Sequence, residues 1–133
     1  MFTIIFPVLN ERLRLENGVT RTVEYLQSIA FEDYEIIIVD NGSEDETPQI
    51  AEKLCKKYDK VKYERINVRG VGAAFRRGVE VSHGDVVGYM DIDLSTNIRH
   101  LGEAIHLFET QPEIQYINGS RFARESDTRG RKW

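Results

Sequence analysis

The sequence predicts an α/β fold in which a mostly parallel sheet carries helices on both faces. Short apolar runs rich in β-branched residues alternate along the chain with segments whose apolar residues recur at helical spacing. Strands separated by single helices require right-handed crossovers, and such crossovers pair the strands in parallel. The chain has 133 residues, the length of one compact domain, so residues 1–133 are predicted to form a single domain.

The first predicted elements are a strand, a helix and a second strand. Residues 2–6 form a β-branched run closed by Pro7, which is typical of a buried strand. Apolar residues at near-helical spacing then predict a helix within residues 16–29. Residues 34–39 form the clearest strand of the chain, and this strand ends abruptly at Asp40.

The middle of the chain continues the alternation of helix and strand. Thr47 and Pro48 predict a helix start, with the hydroxyl as the N-cap and the proline at the first helical position. The alternating residues 61–66 predict a third strand. The small residues within 71–82 predict a helix that packs closely on the sheet.

The last predicted elements lead into a basic tail. Residues 85–90 predict a fourth strand that stops at an acidic turn. Asn97 is predicted to cap a helix that ends near Pro112, and residues 114–117 predict a fifth strand. The tail, residues 121–133, carries a net charge of +3, which leaves −7 on the rest of the chain.

Composition and charge exclude several classes of protein. A net charge of −4 argues against a general nucleic-acid binder, and 41% hydrophobic residues exclude a disordered or collagen-like chain. Cys55 is the single cysteine and can form no internal disulfide, which favours the reducing cytoplasm. No segment resembles a signal peptide or reaches the roughly 20 apolar residues that span a bilayer. The chain is therefore predicted to be soluble, or to be the soluble part of a longer protein.

Two carboxylates one residue apart, Asp91 and Asp93, follow the fourth predicted strand. Such carboxylates repel each other unless a cation lies beside them. Mg²⁺ and Mn²⁺ take oxygen ligands of this kind and often share them with substrate phosphates. The pattern is short and common, so a solvated turn that caps the next helix is the alternative interpretation.

Two further polar clusters, at Asp40 and within residues 7–11, also follow predicted strands. An aspartate at a strand end can accept hydrogen bonds from a base or a ribose, whereas the alternative is a turn whose side chains bond their own backbone. For residues 7–11 the alternative is a strand-to-helix turn with an acidic residue favoured by the helix dipole. All three clusters fall where parallel sheets bind ligands, beyond the carboxyl ends of the strands.

Five motifs occur in a fixed order along residues 2 to about 125. They are Pro7-Val-Leu-Asn-Glu11, Ile36-Ile-Ile-Val-Asp40-Asn-Gly-Ser43, Gly70-Val-Gly72, Met90-Asp-Ile-Asp93 and Asn118-Gly-Ser-Arg121. This succession resembles the Rossmann-like nucleotide-sugar-binding half of family 2 glycosyltransferases with the GT-A fold. Within that family, Asp-x-Asp-Leu-Ser followed by Gly-Ser-Arg-Phe most resembles the polyprenyl-phosphate (dolichyl-phosphate) mannosyl- and glucosyltransferases.

The resemblance implies a role for each candidate residue. It implies a nucleoside pocket lined by Pro7, Asn10, Glu11 and Asp40, and a close backbone approach to the nucleotide at Gly70. It also implies that Asp91 and Asp93 bind Mg²⁺ or Mn²⁺ bridging the diphosphate, with Asp93 the more direct ligand. Arg121 would meet a phosphate at the far edge of the site.

The activity implied by the resemblance is inverting transfer of a hexose from a UDP- or GDP-sugar by in-line attack. The implied acceptor is a polyprenyl phosphate or a glycan, and a lipid phosphate needs no general base because it is already an anionic nucleophile. No nucleic-acid partner is expected. The expected location is the cytoplasm, or the cytoplasmic face of a membrane with association at its surface for the full-length protein.

Two departures from the family pattern shape these expectations. Leu9 stands where the family commonly has a tyrosine, which weakens a base contact. The chain stops at Trp133, where family members continue with acceptor-binding segments. It is therefore expected to be truncated at its C-terminus, to bind a nucleotide sugar and to transfer the sugar poorly.

Two other functions compete with this interpretation. A nucleotide-sugar-binding domain without turnover has the same motifs. A receiver-like signalling domain also binds Mg²⁺ at strand ends, although Glu11 and Arg121 fit its requirements poorly. The sequence leaves open the choice between UDP and GDP, the sugar, the acceptor and the oligomeric state.

Overall fold

The structure is a computed structural model that describes residues 1–94 and 98–110. It contains four strands: β1 (Phe2–Val8), β2 (Tyr34–Asp40), β3 (Val61–Arg65) and β4 (Val86–Tyr89). Helices alternate with them: α1 (Leu15–Ser28), α2 (Thr47–Lys57), α3 (Val71–Val81) and α4 (Arg99–Thr110). These bounds agree closely with the predicted elements. The predicted N-cap Asn97 and the predicted strand 114–117 lie outside the described residues.

All strand pairs are parallel, and the strands lie in the order β3-β2-β1-β4. The chain therefore builds the sheet outward from β1 to β3 and then returns to place β4 on the other side of β1. This reversal makes the carboxyl ends of β1 and β4 a topological switch point, where open parallel sheets form a ligand-binding crevice.

Helices cover both faces of the sheet, as the sequence predicts. Successive residues of each strand point to opposite faces, so Ile4 and Phe6 belong to one core and Ile5 to the other. The larger core contains side chains of α1, α2 and α4, whereas the smaller one is closed by α3 through Ala74. β2 is buried along its whole length, which explains why its run of apolar residues shows no alternation.

Two expectations about element ends need correction. Pro7 does not close β1 but lies within it, because the strand continues to Val8. The Ile5 carbonyl points toward β4, where it accepts a hydrogen bond from the Met90 N–H. Pro7, two residues further on, also turns its backbone nitrogen toward β4, but it lies beyond Ile5, the last β1 residue paired with β4. The N–H that proline lacks is therefore not needed by the sheet. Thr47 is not the N-cap of α2: it is the first helical residue, and Glu46 precedes it as the cap.

None of the helices within residues 1–94 and 98–110 combines the length and the apolar character that crossing a membrane requires.

At the amino ends of the strands, a buried carboxylate ties three segments together. Glu35 accepts hydrogen bonds from the Thr3 hydroxyl at 2.7 Å and from the backbone and ring nitrogens of His83. Thr3 in turn accepts the N–H of Gly84 at 3.0 Å. Burial alone would raise the pKa of the Glu35 carboxyl, but the hydrogen bonds from His83 and Thr3 hold this pKa below its usual value.

Replacing Glu35 with glutamine should therefore lower the free energy of unfolding at neutral pH by about 1–3 kcal/mol. Because the folded-state pKa is depressed, the carboxylate contributes its full stability above the unfolded pKa of about 4.3 and loses it as the pH falls through the folded value. Urea unfolding of the original chain and of Glu35→Gln should show a difference that is present at about pH 5 and shrinks as the pH falls below about pH 4. A difference that does not change with pH would contradict the assignment.

Candidate functional site

Four loops meet at the carboxyl edge of the sheet, one after each strand, within residues 9–14, 41–46, 66–70 and 90–94. The candidate residues of the sequence lie in these loops or at the strand ends that lead into them: Pro7, Asn10, Glu11, Asp40, Gly70, Asp91 and Asp93. Arg121 lies outside the described residues. Hydrogen bonds join the loop after β1 to the loop after β2, and further hydrogen bonds join the loop after β2 to strand β3.

Asn10 holds the loop after β1 against the loop after β2. Its backbone is in the left-handed region (φ +54°), which asparagine tolerates better than most residues. Its side-chain oxygen accepts the N–H groups of Glu44 at 2.8 Å and Asp45 at 3.3 Å, and its own N–H donates to the Ser43 hydroxyl at 2.8 Å. Asn10 is therefore a structural bridge between the two loops.

Thr47 adds a second bridge between the same loops. Its hydroxyl accepts the N–H of Glu11 at 2.9 Å, so it serves the neighbouring loop and not the end of its own helix. The Asp45 carboxylate accepts the N–H of Thr47 at 2.9 Å and that of Arg12 at 3.2 Å. The start of α2 and the loop before α1 are thus stabilised by shared hydrogen bonds.

The Asp40 carboxylate lies at the centre of this edge and is completely buried. One oxygen accepts the N–H groups of Gly42 at 3.0 Å and Ser43 at 2.7 Å. The other accepts the Tyr63 hydroxyl at 2.6 Å and the Arg65 guanidinium at 3.2 Å. A second Arg65 nitrogen donates to the Ser43 carbonyl at 2.9 Å. Four donors thus compensate one buried charge.

The electrostatics of this cluster keep the Tyr63 hydroxyl protonated beside the Asp40 carboxylate. Burial, followed by the hydrogen bond to Asp40, raises the pKa of Tyr63 to about 12. Tyr63 therefore remains a hydrogen-bond donor across the physiological pH range. The hydrogen bonds from the Gly42 and Ser43 N–H groups to Asp40 form a turn in which a side chain bonds its own backbone, which is one of the two interpretations of Asp40 from the sequence. A nucleobase can hydrogen-bond to the Asp40 carboxylate only if the side chain of Tyr63 or of the half-exposed Arg65 moves away from it.

The next residue, Asn41, connects this cluster to the loop before α3. Asn41 is buried, and with its amide oriented to suit its neighbours its NH₂ group donates to the carbonyls of Val68 at 3.1 Å and Gly70 at 3.0 Å. Gly70 has φ +124°, a conformation that other residues rarely adopt. An added Cβ at Gly70 would meet nothing within 4 Å, so backbone conformation and not space demands glycine.

Asp91 and Asp93 lie in the turn after β4, and both are exposed while Ile92 between them is buried. The turn is closed by a hydrogen bond from the Leu94 N–H to the Asp91 carbonyl at 2.9 Å. Leu94 has φ +55°, which costs a non-glycine residue about 1–2 kcal/mol, and strain of this kind concentrates at functional sites.

This donor set fits Mg²⁺ or Mn²⁺ bound together with a diphosphate. Such ions often take one or two protein carboxylates and complete their coordination with phosphate oxygens and water. Residues 1–94 and 98–110 contain no cluster of three or more histidine, cysteine, aspartate and glutamate side chains that could hold a metal. The phosphate oxygens would therefore supply ligands that the described part of the chain does not.

A positively charged side chain, Arg14, lies on the β1 side of the crevice. The Arg14 guanidinium donates to the Glu11 carboxylate at 2.8 Å. This hydrogen bond, followed by the negative charges of Glu11 and Asp93, raises the pKa of Arg14.

Sequence reasoning missed Tyr63 and Arg65. Their alternation within residues 61–66 indicated a strand with both side chains on one face. It could not indicate the register that pairs Ile38 with Tyr63 and Asp40 with Arg65. That register brings both donors to Asp40.

Comparison with known proteins identifies relatives that match almost the whole chain. The model of glycosyl transferase family 2 matches residues 3–133. Glycosyltransferase AglD of Haloferax volcanii is 36% identical over 90% of this chain and 19% of its own length. Mouse dolichyl-phosphate beta-glucosyltransferase is 33% identical over 95% of this chain and 42% of its own length. Dolichol-phosphate mannosyltransferase of Pyrococcus furiosus is 32% identical over 92% of this chain and 33% of its own length. The chain thus spans less than half the length of these relatives.

Solved structures share the fold. A mannosyltransferase from Pyrobaculum calidifontis in complex with GDP-Man and Mn²⁺ superposes with a TM-score of 0.67 at 21% identity, covering 80% of this chain and 32% of that one. Glucosyl-3-phosphoglycerate synthase from Mycobacterium tuberculosis in complex with UDP gives 0.65 at 23% identity, covering 86% and 42%. These likenesses confirm the predicted GT-A fold.

We expect Asp40→Ala to lower the free energy of unfolding by about 3 kcal/mol, because it leaves buried donors without their acceptor. Tyr63→Phe removes one of the four hydrogen bonds and should cost about 1 kcal/mol. Urea unfolding monitored by circular dichroism measures both losses. Asp85→Ala, which removes an exposed carboxylate at the opposite edge, is the control and should cost about 0.5 kcal/mol or less. Equal losses for Asp40→Ala and Asp85→Ala would contradict the central role of Asp40.

Proposed function

Because the chain belongs to glycosyltransferase family 2, we propose that it binds a UDP- or GDP-hexose at the carboxyl edge of the sheet and takes part in inverting transfer of the hexose. The observation that carries this proposal is the pair of exposed carboxylates, Asp91 and Asp93, in a strained turn at the switch point. The family match also favours this function over a receiver-like signalling domain.

The nucleoside half of the donor would lie over the loops after β1, β2 and β3. Asn10 and Asp40 hold the loops after β1 and β2 in place, and Asn41 holds the loop after β3, through the hydrogen bonds described above. Glu11 and Pro7 lie on the β1 side of the crevice. Gly70 exposes backbone at the start of α3, where a nucleotide can approach without meeting a side chain. The chain would therefore orient the nucleoside mainly with a preformed backbone framework.

The diphosphate half would lie at Asp91 and Asp93, which would hold Mg²⁺ or Mn²⁺ together with the phosphate oxygens. A divalent cation at this position supplies Lewis-acid stabilisation of the leaving nucleoside diphosphate. Arg14 and Glu11 contribute an ion pair beside the crevice. Arg121 is proposed to meet a phosphate of donor or acceptor from beyond the described residues.

A polyprenyl phosphate is the acceptor that fits the proposal best. Two of the relatives are named for transfer to dolichyl or dolichol phosphate. An oxygen of the lipid phosphate would form the new bond to the anomeric carbon while the bond to the nucleoside diphosphate breaks on the opposite face, which inverts the configuration. The attacking oxygen is already negative, so no side chain of this chain has to remove a proton. An acceptor of this kind would bring the domain to a membrane surface.

The proposal predicts that UDP or GDP binds tightly only when Mg²⁺ or Mn²⁺ is present. Titration calorimetry with each nucleotide, with the metal and with EDTA, measures this dependence. Asp91→Asn and Asp93→Asn should each lower metal-dependent affinity at least about tenfold, with the larger loss at Asp93. Asp85→Asn, at the opposite edge of the sheet, is the matched control and should bind like the original chain. Equal affinity with the metal and with EDTA would overturn the metal assignment, and no binding of either nucleotide would overturn the function.

A further inference from the structure

Ile92, the residue between the two candidate carboxylates, packs directly on helix α1 at Gly18. A Cβ added to Gly18 would lie less than 3.0 Å from the Ile92 carbonyl oxygen and 2.8 Å from its Cδ1. Real Cβ atoms essentially never come so close. Because the closest atom belongs to the backbone and not to the tip of a flexible side chain, the turn itself would have to move.

Backbone conformation does not explain a glycine at this position. Gly18 lies inside a regular helix: its N–H donates to the Arg14 carbonyl at 2.9 Å, and its own carbonyl accepts the Thr22 hydroxyl at 2.8 Å. Glycine is a poorer helix former than alanine, since it loses more conformational freedom. The contact with Ile92 is therefore the physical reason that glycine is required here.

The same contact fixes the positions of both carboxylates. The Ile92 side chain is buried in the larger core together with Leu15 and Val19 of α1, which anchors the middle of the turn. The Ile92 carbonyl belongs to the rigid peptide unit that leads into Asp93, so a shift of this carbonyl reorients Asp93 directly, whereas Asp91 moves only if the Ile92 Cα is displaced as well.

Helix α1 also connects this turn to the nucleoside side of the crevice. The N–H groups of Arg14 and Leu15 both donate to the Glu11 carbonyl, so the helix starts directly from the loop that the β2–α2 loop holds in place. Gly18 lies one turn further along the helix. α1 therefore contacts both the loop after β1, from which it starts, and the turn after β4, which packs on it at Gly18.

We propose that Gly18 is a positioning residue for the proposed metal and diphosphate site. The absence of a side chain at Gly18 lets Ile92 pack against α1, and this packing holds the turn that carries Asp91 and Asp93 in place. The inference rests on the proposed function, because it assigns Gly18 to the same site. Gly18 touches neither metal nor substrate and acts only through Ile92.

Gly18→Ala tests the proposal, with Gly78→Ala as the matched control. An added Cβ at Gly78 would also come closer than 3.0 Å to a neighbour, but that neighbour is the side chain of Ile5 under α3, in the core on the opposite face of the sheet. Both variants place a methyl group in a tight contact beneath a helix, that of α1 with the turn after β4 or that of α3 with the sheet. Only Gly18→Ala displaces the turn that carries the carboxylates.

The readout is Mn²⁺-dependent binding of UDP and GDP to the 133-residue chain, measured by calorimetry at a temperature where unfolding scans show each variant folded. Gly18→Ala should lower the Mn²⁺-dependent affinity at least about tenfold, as loss of groups that orient metal ligands typically does. It should leave binding of the free nucleosides, uridine and guanosine, unchanged. Gly78→Ala should bind nucleotides and nucleosides like the original chain.

Each outcome decides the proposal. Unchanged Mn²⁺-dependent affinity in folded Gly18→Ala, or an equal loss in Gly78→Ala, would overturn it while leaving the proposed function intact. If Gly18→Ala does not fold, Ile92→Val replaces it in the test, because it trims the anchor by one methyl group and should reduce the same affinity by a smaller factor. If Ile92→Val binds UDP and GDP with Mn²⁺ as tightly as the original chain does, the proposed role of Gly18 would be overturned. Failure of the original chain to bind either nucleotide with Mn²⁺ would overturn the proposed function itself.

Discussion

A single buried charge, the Asp40 carboxylate, organises the carboxyl edge of the sheet. A carboxylate without solvent is costly unless donors surround it, and here two backbone N–H groups, a tyrosine and an arginine do so. These donors come from the loop after β2 and from β3. Satisfying the charge therefore joins the end of β2, its own loop and the edge strand into one unit.

The other loops take their positions from this unit. Asn10 and Thr47 attach the loop after β1 to the loop after β2, and Asn41 attaches the loop before α3. The turn with Asp91 and Asp93 is attached differently, through the packing of Ile92 on α1. The edge thus combines a hydrogen-bonded framework on one side of the switch point with a packed contact, Ile92 against Gly18, on the other.

The fold could be predicted from the sequence because its signals are local. The change between strand and helix periodicity identified the described elements, and the order of motifs identified the family. The errors and omissions concern contacts between distant segments. Thr47 looked like a helix cap because its sequence neighbours suggest one, yet its partner is Glu11. The donors to Asp40 depend on strand register, and the need for glycine at position 18 depends on how α1 meets the turn after β4, neither of which a single sequence encodes locally.

Amide chemical shifts offer the most direct measurement of the central claim, that the carboxyl edge is the nucleotide site. Two-dimensional ¹H–¹⁵N spectra recorded while UDP or GDP is added with Mg²⁺ would locate the binding surface residue by residue. A nucleotide site at the carboxyl edge predicts the largest changes in the four carboxyl-edge loops, at Asn10, Gly42, Gly70 and Asp93, with the amides of Thr3, Glu35 and Gly84 at the opposite edge unchanged. Changes centred instead on the groove between the end of α1 and α4, around Tyr25 and His106, would contradict it.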